Sequence, residues 1–423
     1  MSQFNKTLGF GQGLGLLISA LLGTGVFIVP ELTVRQAGSD ALWGWAVLVL
    51  AIIPVAFAFA QLGRRFPHAG GASWYVQLAF GERQGRVVGW MLLALMSVGL
   101  PAAMEMAVWF LNALLPLDAT GAFMAKLVVL TAMVVVNLRG IQVSGLLLSV
   151  IAWSVAVVVL GLAALAWLAQ GAGTVVVEAA GVNWERVSAT AGLAFWSFIG
   201  VETLAHLSAE FKRPERDFPL ALLIGVLSAG LVYWVGSWVI LHHVGASDNT
   251  VPAMVVLFDR LVGGQGALFI GVFGFLSCVA TMNIYLASIA RMLWSLANDG
   301  AVDRRLAHIN GQGVPARAVK VVALVSLASL AATAALGLSL EQLLLMSNGM
   351  IVLVYLLTLA AALKLLSRHH WPLSAFGCVV CLWLAWSVGW AMLYAVAIYA
   401  ALWVALWWQE GRLRRLARCT QTL

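Results

Sequence analysis

Twelve apolar runs, separated by short polar segments, follow one another along the chain. A helix needs about 20 apolar residues to cross a bilayer, and these runs are continuous rather than alternating, which favours helices over a barrel. The pattern predicts an all-α polytopic membrane protein with twelve spans. In chain order these cover about 8–37, 41–62, 87–115, 121–138, 143–168, the first part of 192–219, 220–241, 267–297, 318–336, 340–366, and two spans within 371–408 that turn around Gly389.

Basic residues fall unevenly on the two sides of these spans. With the N-terminus inside the cell, the outer segments hold only four of the 24 Lys and Arg residues, namely Arg35, Lys126, Arg186 and Arg260. Cytoplasmic loops of membrane proteins carry an excess of such residues. The distribution predicts that both termini are cytoplasmic, because an odd number of spans would place the basic tail outside.

Composition narrows the class of protein further. The chain is 62% hydrophobic and 10% charged, whereas soluble domains contain about 25% charged residues. No long basic run is interleaved with aromatic residues, so no nucleic-acid partner is expected. No P-loop, metal-ligand motif or catalytic G-x-S-x-G or H-E-x-x-H motif is present, so we expect no cofactor, no metal and no enzyme. A membrane-embedded hydrolase built on Glu202, His206 and a nearby serine is the remote alternative.

The stretch from Gly192 to Pro219 carries the most informative polar residues. An apolar run meets Gly200, then Glu202, and one turn later His206. A carboxylate at membrane depth is costly, which makes it a functional candidate. Glycine allows a helix to open, and open backbone is tolerated only where it lines a cavity. These residues therefore predict a polar cavity close to the cytoplasmic side.

A second glycine-rich stretch shares this pattern. Span 1 contains Gly15-x7-Gly23 and span 6 contains Gly192-x7-Gly200, and each span begins a group of five. Because five is odd, the two groups have opposite orientations in the membrane. Inverted repeats with broken first helices indicate a transporter with its site near the midplane. We therefore predict one transport domain with repeats at 8–168 and 188–366, two further helices in 371–408, and a basic tail at 409–423.

The motifs in these regions resemble one known family. They are Gly23-Thr24-Gly25-Val26-Phe27 in span 1, Pro67-His68-Ala69-Gly70-Gly71 with Phe80-Gly81 in the first inner loop, Phe198-Ile199-Gly200-Val201-Glu202 in span 6, and the run from Glu210 to Pro219 that follows. Over nearly its full length the chain is similar to the amino acid–polyamine–organocation transporter superfamily. The resemblance implies the LeuT-like fold and a bacterial cytoplasmic membrane.

The resemblance also implies roles for individual residues. Backbone around Leu21, Gly23, Thr24 and Gly25 would hold the carboxylate of an amino acid substrate. Carbonyls near Trp196, Ile199 and Gly200 would take its ammonium group, and Trp196 would act as an aromatic gate. Glu202 would serve gating or proton coupling. Some proton-coupled relatives use a lysine in span 5, and this chain has none there.

Two further residues remain open between functional and structural roles. His206 shares a helix face with Glu202 at i+4, so it either couples titration to transport or makes a structural hydrogen bond near the inner mouth. Glu105, in span 3, is either a second polar site or a residue that reaches outward from a tilted helix. Polar groups at depth in span 8, such as Tyr285, require partners, and Asn348-Gly349 is a polar spot in span 10.

Few charges at depth limit the substrates that the cavity can take. A charged substrate side chain would require a dedicated partner, and the surroundings offer Phe195, Trp196 and Phe198 instead. We therefore predict a neutral apolar amino acid (methionine, leucine, isoleucine or valine) as substrate. The family resemblance implies a secondary transporter that exports it by alternating access, with the proton as coupling ion and the lipid bilayer as its environment. An importer or exchanger on the same fold is the alternative.

Overall fold

The computed structural model describes residues 8–68, 70–140, 145–169, 181–245, 252–298, 300 and 302–421. Within these residues the chain is helical, and the β pairing consists of one isolated parallel bridge between Leu8 and Phe211. The helices of the first half are α1 (Phe10–Leu22), α2 (Val29–Ala37), α3 (Asp40–Arg65), α4 (Gly71–Phe80), α5 (Glu82–Ala94), α6 (Met96–Leu114), α7 (Ala119–Leu138) and α8 (Gly145–Leu168).

The second half begins with two short helices and continues with long ones, apart from the six-residue α12. They are α9 (Trp184–Ala194), α10 (Val201–His206), α11 (Asp217–His243), α12 (Ala253–Phe258), α13 (Gly266–Asn298), α14 (Ala316–Ala335), α15 (Leu340–Leu365), α16 (Trp371–Val388) and α17 (Ala391–Gln421). Gly389, between α16 and α17, has φ +67°, so the last two apolar helices turn tightly around it as the sequence predicts.

Ten segments of the described chain are long and apolar enough to cross a membrane. Two shorter apolar helices, Phe10–Leu22 and Trp153–Leu168, fall in the spans that the sequence places first and fifth. The protein is therefore an all-helical, multi-pass membrane protein. The exact count of twelve spans stays a prediction.

The broken sixth span lies at the centre of the molecule. In its apolar window, 89% of residues are buried, compared with 22% in α7 and 17% in α17, which present side chains outward. Broken span 1 also lies inside, since α1 packs against α8, α10 and α11. The two broken helices thus lie together in the interior. There, protein groups can form hydrogen bonds with the unpaired backbone N–H and C=O groups of the breaks, which lipid cannot do.

Both predicted breaks are present. α1 ends at Leu22, residues 23–28 form turns, and α2 begins at Val29 with proline at its second position. In span 6, α9 passes into a short 3-10 helix at Phe195–Phe198, and α10 resumes after Gly200. Gly200 has φ +136°, a backbone conformation that residues other than glycine rarely adopt.

Candidate functional site

The break in span 1 releases backbone groups that a continuous helix would pair. In the described part of the chain, the amides of Thr24 and Gly25 make no hydrogen bond to a protein acceptor. In an uninterrupted helix the amide of Gly25 would donate to the carbonyl of Leu21. That carbonyl accepts instead from the hydroxyl of Tyr233 at 2.8 Å. The break therefore presents two successive N–H donors, a pattern suited to an anion.

Trp196 connects the two breaks. Its indole N–H donates to Thr24 Oγ1 at 3.2 Å, and its ring contacts Gly25 closely enough that a Cβ on that glycine would lie 3.2 Å from Trp196 Cδ1. The side chain comes from the 3-10 segment of span 6 and contacts the open turn of span 1. The position of the Trp196 ring therefore depends on both broken helices.

Glu202 is buried at the break in span 6, with 3% of the residue exposed. Its Oε2 accepts from the amide of Gly200 at 3.0 Å and lies 2.5 Å from the hydroxyl of Tyr355. The same hydroxyl lies 3.1 Å from the carbonyl oxygen of Phe198. A tyrosine hydroxyl has one proton to donate. It can therefore serve either the carboxylate or the Phe198 carbonyl, but not both at once.

A cavity lies between the breaks and the helices that face them. Its lining is almost entirely apolar, and its polar groups are the side chains of Thr24 and Tyr285 and the indole of Trp196. The lining residues are Ala20, Thr24, Leu95, Met96, Gly99, Leu100, Ala103, Trp196, Ile199, Met282 and Tyr285. Such a lining suits an apolar side chain and offers no charged group to pair with a cationic or acidic one.

The predicted binding residues divide into two groups. Thr24, Trp196 and Ile199 line the cavity. The remaining ones lie outside its lining: Leu21 is in the last turn of α1, and Gly23, Gly25 and Gly200 are in the turns of the two breaks. Leu21 takes part through its carbonyl, which is bound to Tyr233.

His206 ends α10 and turns toward the inner loop. A Cβ added to Gly71, the first residue of α4, would lie 2.7 Å from His206 Nδ1. On the same side, the amide of His68 donates to Ser208 Oγ at 3.3 Å. The imidazole thus packs against α4, whereas Glu202 on the same short helix bonds to Gly200 and Tyr355. This packing favours the structural interpretation of His206.

Leu8, just before α1, is hydrogen-bonded to the segment that follows α10. The amide of Leu8 donates to the carbonyl of Glu210 at 3.0 Å, and the amide of Lys212 donates to the carbonyl of Leu8 at 2.8 Å. Burial raises the pKa of the Glu210 carboxyl, and the positive charge of Arg291 from α13 partly offsets this rise. The two hydrogen bonds of Leu8 thus join the chain just before α1 to the segment that follows α10.

Glu105 lies apart from the breaks. Its Oε1 pairs with Lys126 Nζ of the neighbouring helix α7, and on α6 it lies beyond the residues that line the cavity. The carboxylate also lines a separate cavity of about 500 Å³, together with Asp118 and Glu341. The structure therefore supports a paired, partly exposed carboxylate away from both breaks.

This placement leads to a prediction for Glu105. We expect Glu105→Gln to leave the pH dependence of transport unchanged, because the carboxylate contacts neither break. The measurement is substrate flux at several pH values in proteoliposomes. A lower yield of folded protein would be consistent with loss of the Lys126 pair, whereas a flattened pH profile would contradict the prediction.

Sequence reasoning missed the groups that hold the breaks open. Tyr233 and Tyr355 supply hydroxyls to the carbonyls of Leu21 and Phe198. Asn348 donates through Nδ2 to the carbonyls of Gly192 at 2.7 Å and Leu193 at 3.1 Å. A lone asparagine in an apolar span was a usable signal, since a buried amide requires partners. The tyrosines carried no such signal.

Comparisons with known proteins agree with this architecture. The family model described as "Amino acid permease" matches residues 8–414. The L-methionine/branched-chain amino acid exporter YjeH of Escherichia coli strain K12 is 40% identical over 399 residues, covering 92% of this chain and 93% of that protein. The amino acid permease YecA of Bacillus subtilis strain 168 is 25% identical over 397 residues, with 92% and 93% covered.

More distant relatives handle a different class of compound. The cadaverine/lysine antiporter of Escherichia coli strain K12 is 24% identical over 342 residues, which cover 75% of this chain and 74% of that protein. The matched family model and the 40% identical relative each extend over nearly the whole chain. The chain therefore belongs to the amino acid permease family of the amino acid–polyamine–organocation superfamily, and it is an amino acid transporter.

Proposed function

We propose that this protein exports neutral, apolar L-amino acids (methionine, leucine, isoleucine and valine) by alternating access, in exchange for protons. The observation that carries the proposal is the apolar cavity next to two open helix breaks. An amino acid has a carboxylate and an ammonium group on one carbon, and the breaks supply complementary backbone groups. The cavity then receives the side chain.

The backbone groups define how the substrate would be held. The free amides of Thr24 and Gly25 face no protein acceptor among the described residues and suit the carboxylate. Carbonyls near Trp196 and Ile199, at the end of the 3-10 segment, suit the ammonium group because carbonyls at the end of a half-helix attract cations. Trp196, bonded to Thr24, would have to move as the substrate enters or leaves.

The lining of the cavity supports apolar substrates. Met96, Leu100 and Met282 provide flexible or branched apolar surface, and Gly99 and Ala103 leave room between them. Methionine side chains adapt to ligands of different shape. The proposed substrates are also those for which the 40% identical relative is named, the L-methionine/branched-chain amino acid exporter of Escherichia coli.

Glu202 would couple protons to this cycle through Tyr355. When the carboxyl is protonated, its O–H can donate to the tyrosine, and the tyrosine can donate to the carbonyl of Phe198. When the carboxyl is ionised, the tyrosine proton goes to the carboxylate and the carbonyl loses its donor. Loss of a buried donor costs about 1–3 kcal/mol. A proton at Glu202 would thereby change the relative stability of two arrangements of the break.

The finer architecture is part of the proposal. We place twelve spans in a five-plus-five inverted repeat, with spans 1 and 6 broken, in a bacterial cytoplasmic membrane with both termini inside. The uneven distribution of Lys and Arg supports this orientation. Repeats of opposite orientation would place the two breaks side by side near the midplane, from where the site can open to either face.

Efflux from proteoliposomes tests the proposal. Purified protein is reconstituted into liposomes preloaded with radiolabelled methionine or leucine, and efflux is followed at several imposed pH gradients. We expect efflux faster than from protein-free liposomes and accelerated by an inwardly directed proton gradient, since the proton enters as the substrate leaves.

The other outcomes of this experiment discriminate between mechanisms. Flux that requires amino acid on both sides would show an exchanger and contradict proton-driven export. Efflux that ignores the pH gradient would remove the proton from the mechanism. Competition by unlabelled lysine as effective as that by methionine would contradict the apolar substrate class.

A further inference from the structure

The side chain of Tyr233 lies where the break in span 1 opens. The residue is fully buried in α11, and its hydroxyl is 2.8 Å from the carbonyl oxygen of Leu21. A Cβ added to Gly25 would lie 2.9 Å from the same hydroxyl. One oxygen atom of Tyr233 thus donates to the carbonyl of Leu21 and lies beside Gly25, the two residues whose backbone groups an unbroken helix would join directly.

The ring of Tyr233 is fixed in place. It stacks on Trp45 with centroids 4.9 Å apart and an interplanar angle of 11°. The indole N–H of Trp45 in turn donates to Thr33 Oγ1 at 3.0 Å, and Thr33 lies on the outer half of span 1. Tyr233 and Trp45 therefore connect the inner half of the broken span, through Leu21, to its outer half, through Thr33.

This geometry has a consequence for the amide of Gly25. A buried carbonyl without a hydrogen-bond donor is unfavourable. Without the Tyr233 hydroxyl, the Leu21 carbonyl would therefore favour a hydrogen bond from the amide of Gly25, the i to i−4 bond of a helix. Because the tyrosine hydroxyl already satisfies that carbonyl, the amide of Gly25 stays without a protein acceptor. The tyrosine thus replaces the bond that the helix gives up.

We propose that Tyr233 is a positioning residue for substrate binding: by occupying the Leu21 carbonyl, it keeps the Gly25 amide available for the carboxylate of the amino acid. The inference rests on the proposed function, since it requires an amino acid substrate held at the break. The tyrosine acts through the backbone of span 1. It therefore affects binding of the substrate carboxylate and not binding of the substrate side chain.

Substitution of Tyr233 by phenylalanine tests the inference. The ring keeps its stack on Trp45, and one hydroxyl is lost. Binding of methionine and of methionine methyl ester is measured on the purified proteins; the ester keeps the ammonium group and the side chain but has no carboxylate. We expect Tyr233→Phe to weaken methionine binding by about tenfold and to leave ester binding unchanged.

Tyr399→Phe is the matched control. Its hydroxyl donates to Gln84 Oε1 at 2.8 Å, away from both breaks, so the substitution removes a comparable hydrogen bond. We expect it to leave both affinities unchanged. Equal weakening of acid and ester in Tyr233→Phe would indicate general loss of structure and overturn the inference, and so would unchanged methionine affinity.

A measurement on the wild-type protein covers the case in which Tyr233→Phe does not fold. Amide hydrogen exchange is followed in the peptide that contains residues 23–28 while methionine or its ester is added. We expect methionine to slow exchange in this peptide more than the ester does at equal occupancy. Equal slowing would overturn the inference alone, whereas failure of the wild-type protein to bind any apolar amino acid would overturn the proposed function as well.

Discussion

Gly23→Val severely weakens substrate binding while the protein still inserts into the membrane: this is the expected result of the substitution with the largest effect. A Cβ at this position would lie 1.9 Å from Thr281 Oγ1 and 2.6 Å from the carbonyl oxygen of Ser19. The hydroxyl of Thr281 can rotate away, but the carbonyl belongs to the last turn of α1 and cannot move without shifting the break.

The expected magnitude follows from the same contacts. Forcing methyl groups into filled space costs about 1–3 kcal/mol, which corresponds to a loss of methionine affinity of up to roughly 150-fold. Gly25→Val should act in the same direction, because a Cβ there would lie 2.9 Å from the Tyr233 hydroxyl and 3.0 Å from Val29 Cγ2. Affinity is measured on detergent-purified protein with labelled methionine.

Gly11→Val is the control for this prediction. Gly11 lies in α1 of the same span, and no atom lies within 4 Å of a Cβ built on it. It therefore introduces the same β-branched residue without crowding, and we expect wild-type affinity. Wild-type affinity in Gly23→Val would contradict the proposed site, provided that both variants elute as single, monodisperse species.

The breaks could be predicted because their signals are local. Glycines at positions 23, 25 and 200 interrupt long apolar runs, and a carboxylate follows Gly200 within two residues. Each signal lies within one turn of the backbone that it affects. The structure confirms both breaks, and α1 ends at Leu22, directly before the first of these glycines.

The groups that complete the breaks could not be predicted, because they come from distant parts of the chain. Tyr233 is 212 residues from Leu21 and Tyr355 is 153 residues from Glu202 along the sequence. A tyrosine in an apolar span is typical of many packing environments. Only the packing of α11 and α15 against the broken spans shows which carbonyls the two hydroxyls serve.

Charge pairing across neighbouring spans was an intermediate case. Glu105 and Lys126 are 21 residues apart in two consecutive antiparallel helices, α6 and α7, and the structure brings them together. Consecutive helices joined by a short loop place residues at equal distances from that loop side by side. The spacing of Glu105 and Lys126 in the sequence is therefore compatible with a pair. Predicting the pair also requires the position of each residue along its helix.

Glu202→Gln is expected to remove the pH dependence of transport between about pH 5 and pH 8 while substrate binding persists. A glutamine side chain matches the carboxyl in size, and it can still accept from the Gly200 amide and the Tyr355 hydroxyl. It cannot gain or lose a proton in this range. The tyrosine proton is then held in one arrangement, and a proton gradient no longer favours either state of the break.

Tyr355→Phe tests the same switch from its other partner. This substitution leaves a titratable carboxyl at Glu202 but removes the hydroxyl that connects it to the carbonyl of Phe198. Efflux should remain pH-dependent in Tyr355→Phe, with a changed midpoint and a gradient-driven rate lower by roughly 5–150-fold, the range of typical coupling energies. Glu202→Gln should lower the gradient-driven rate to the rate without a gradient. A wild-type pH profile in well-folded Glu202→Gln would exclude this carboxyl as the coupling group, because another titratable group would then have to supply the pH dependence.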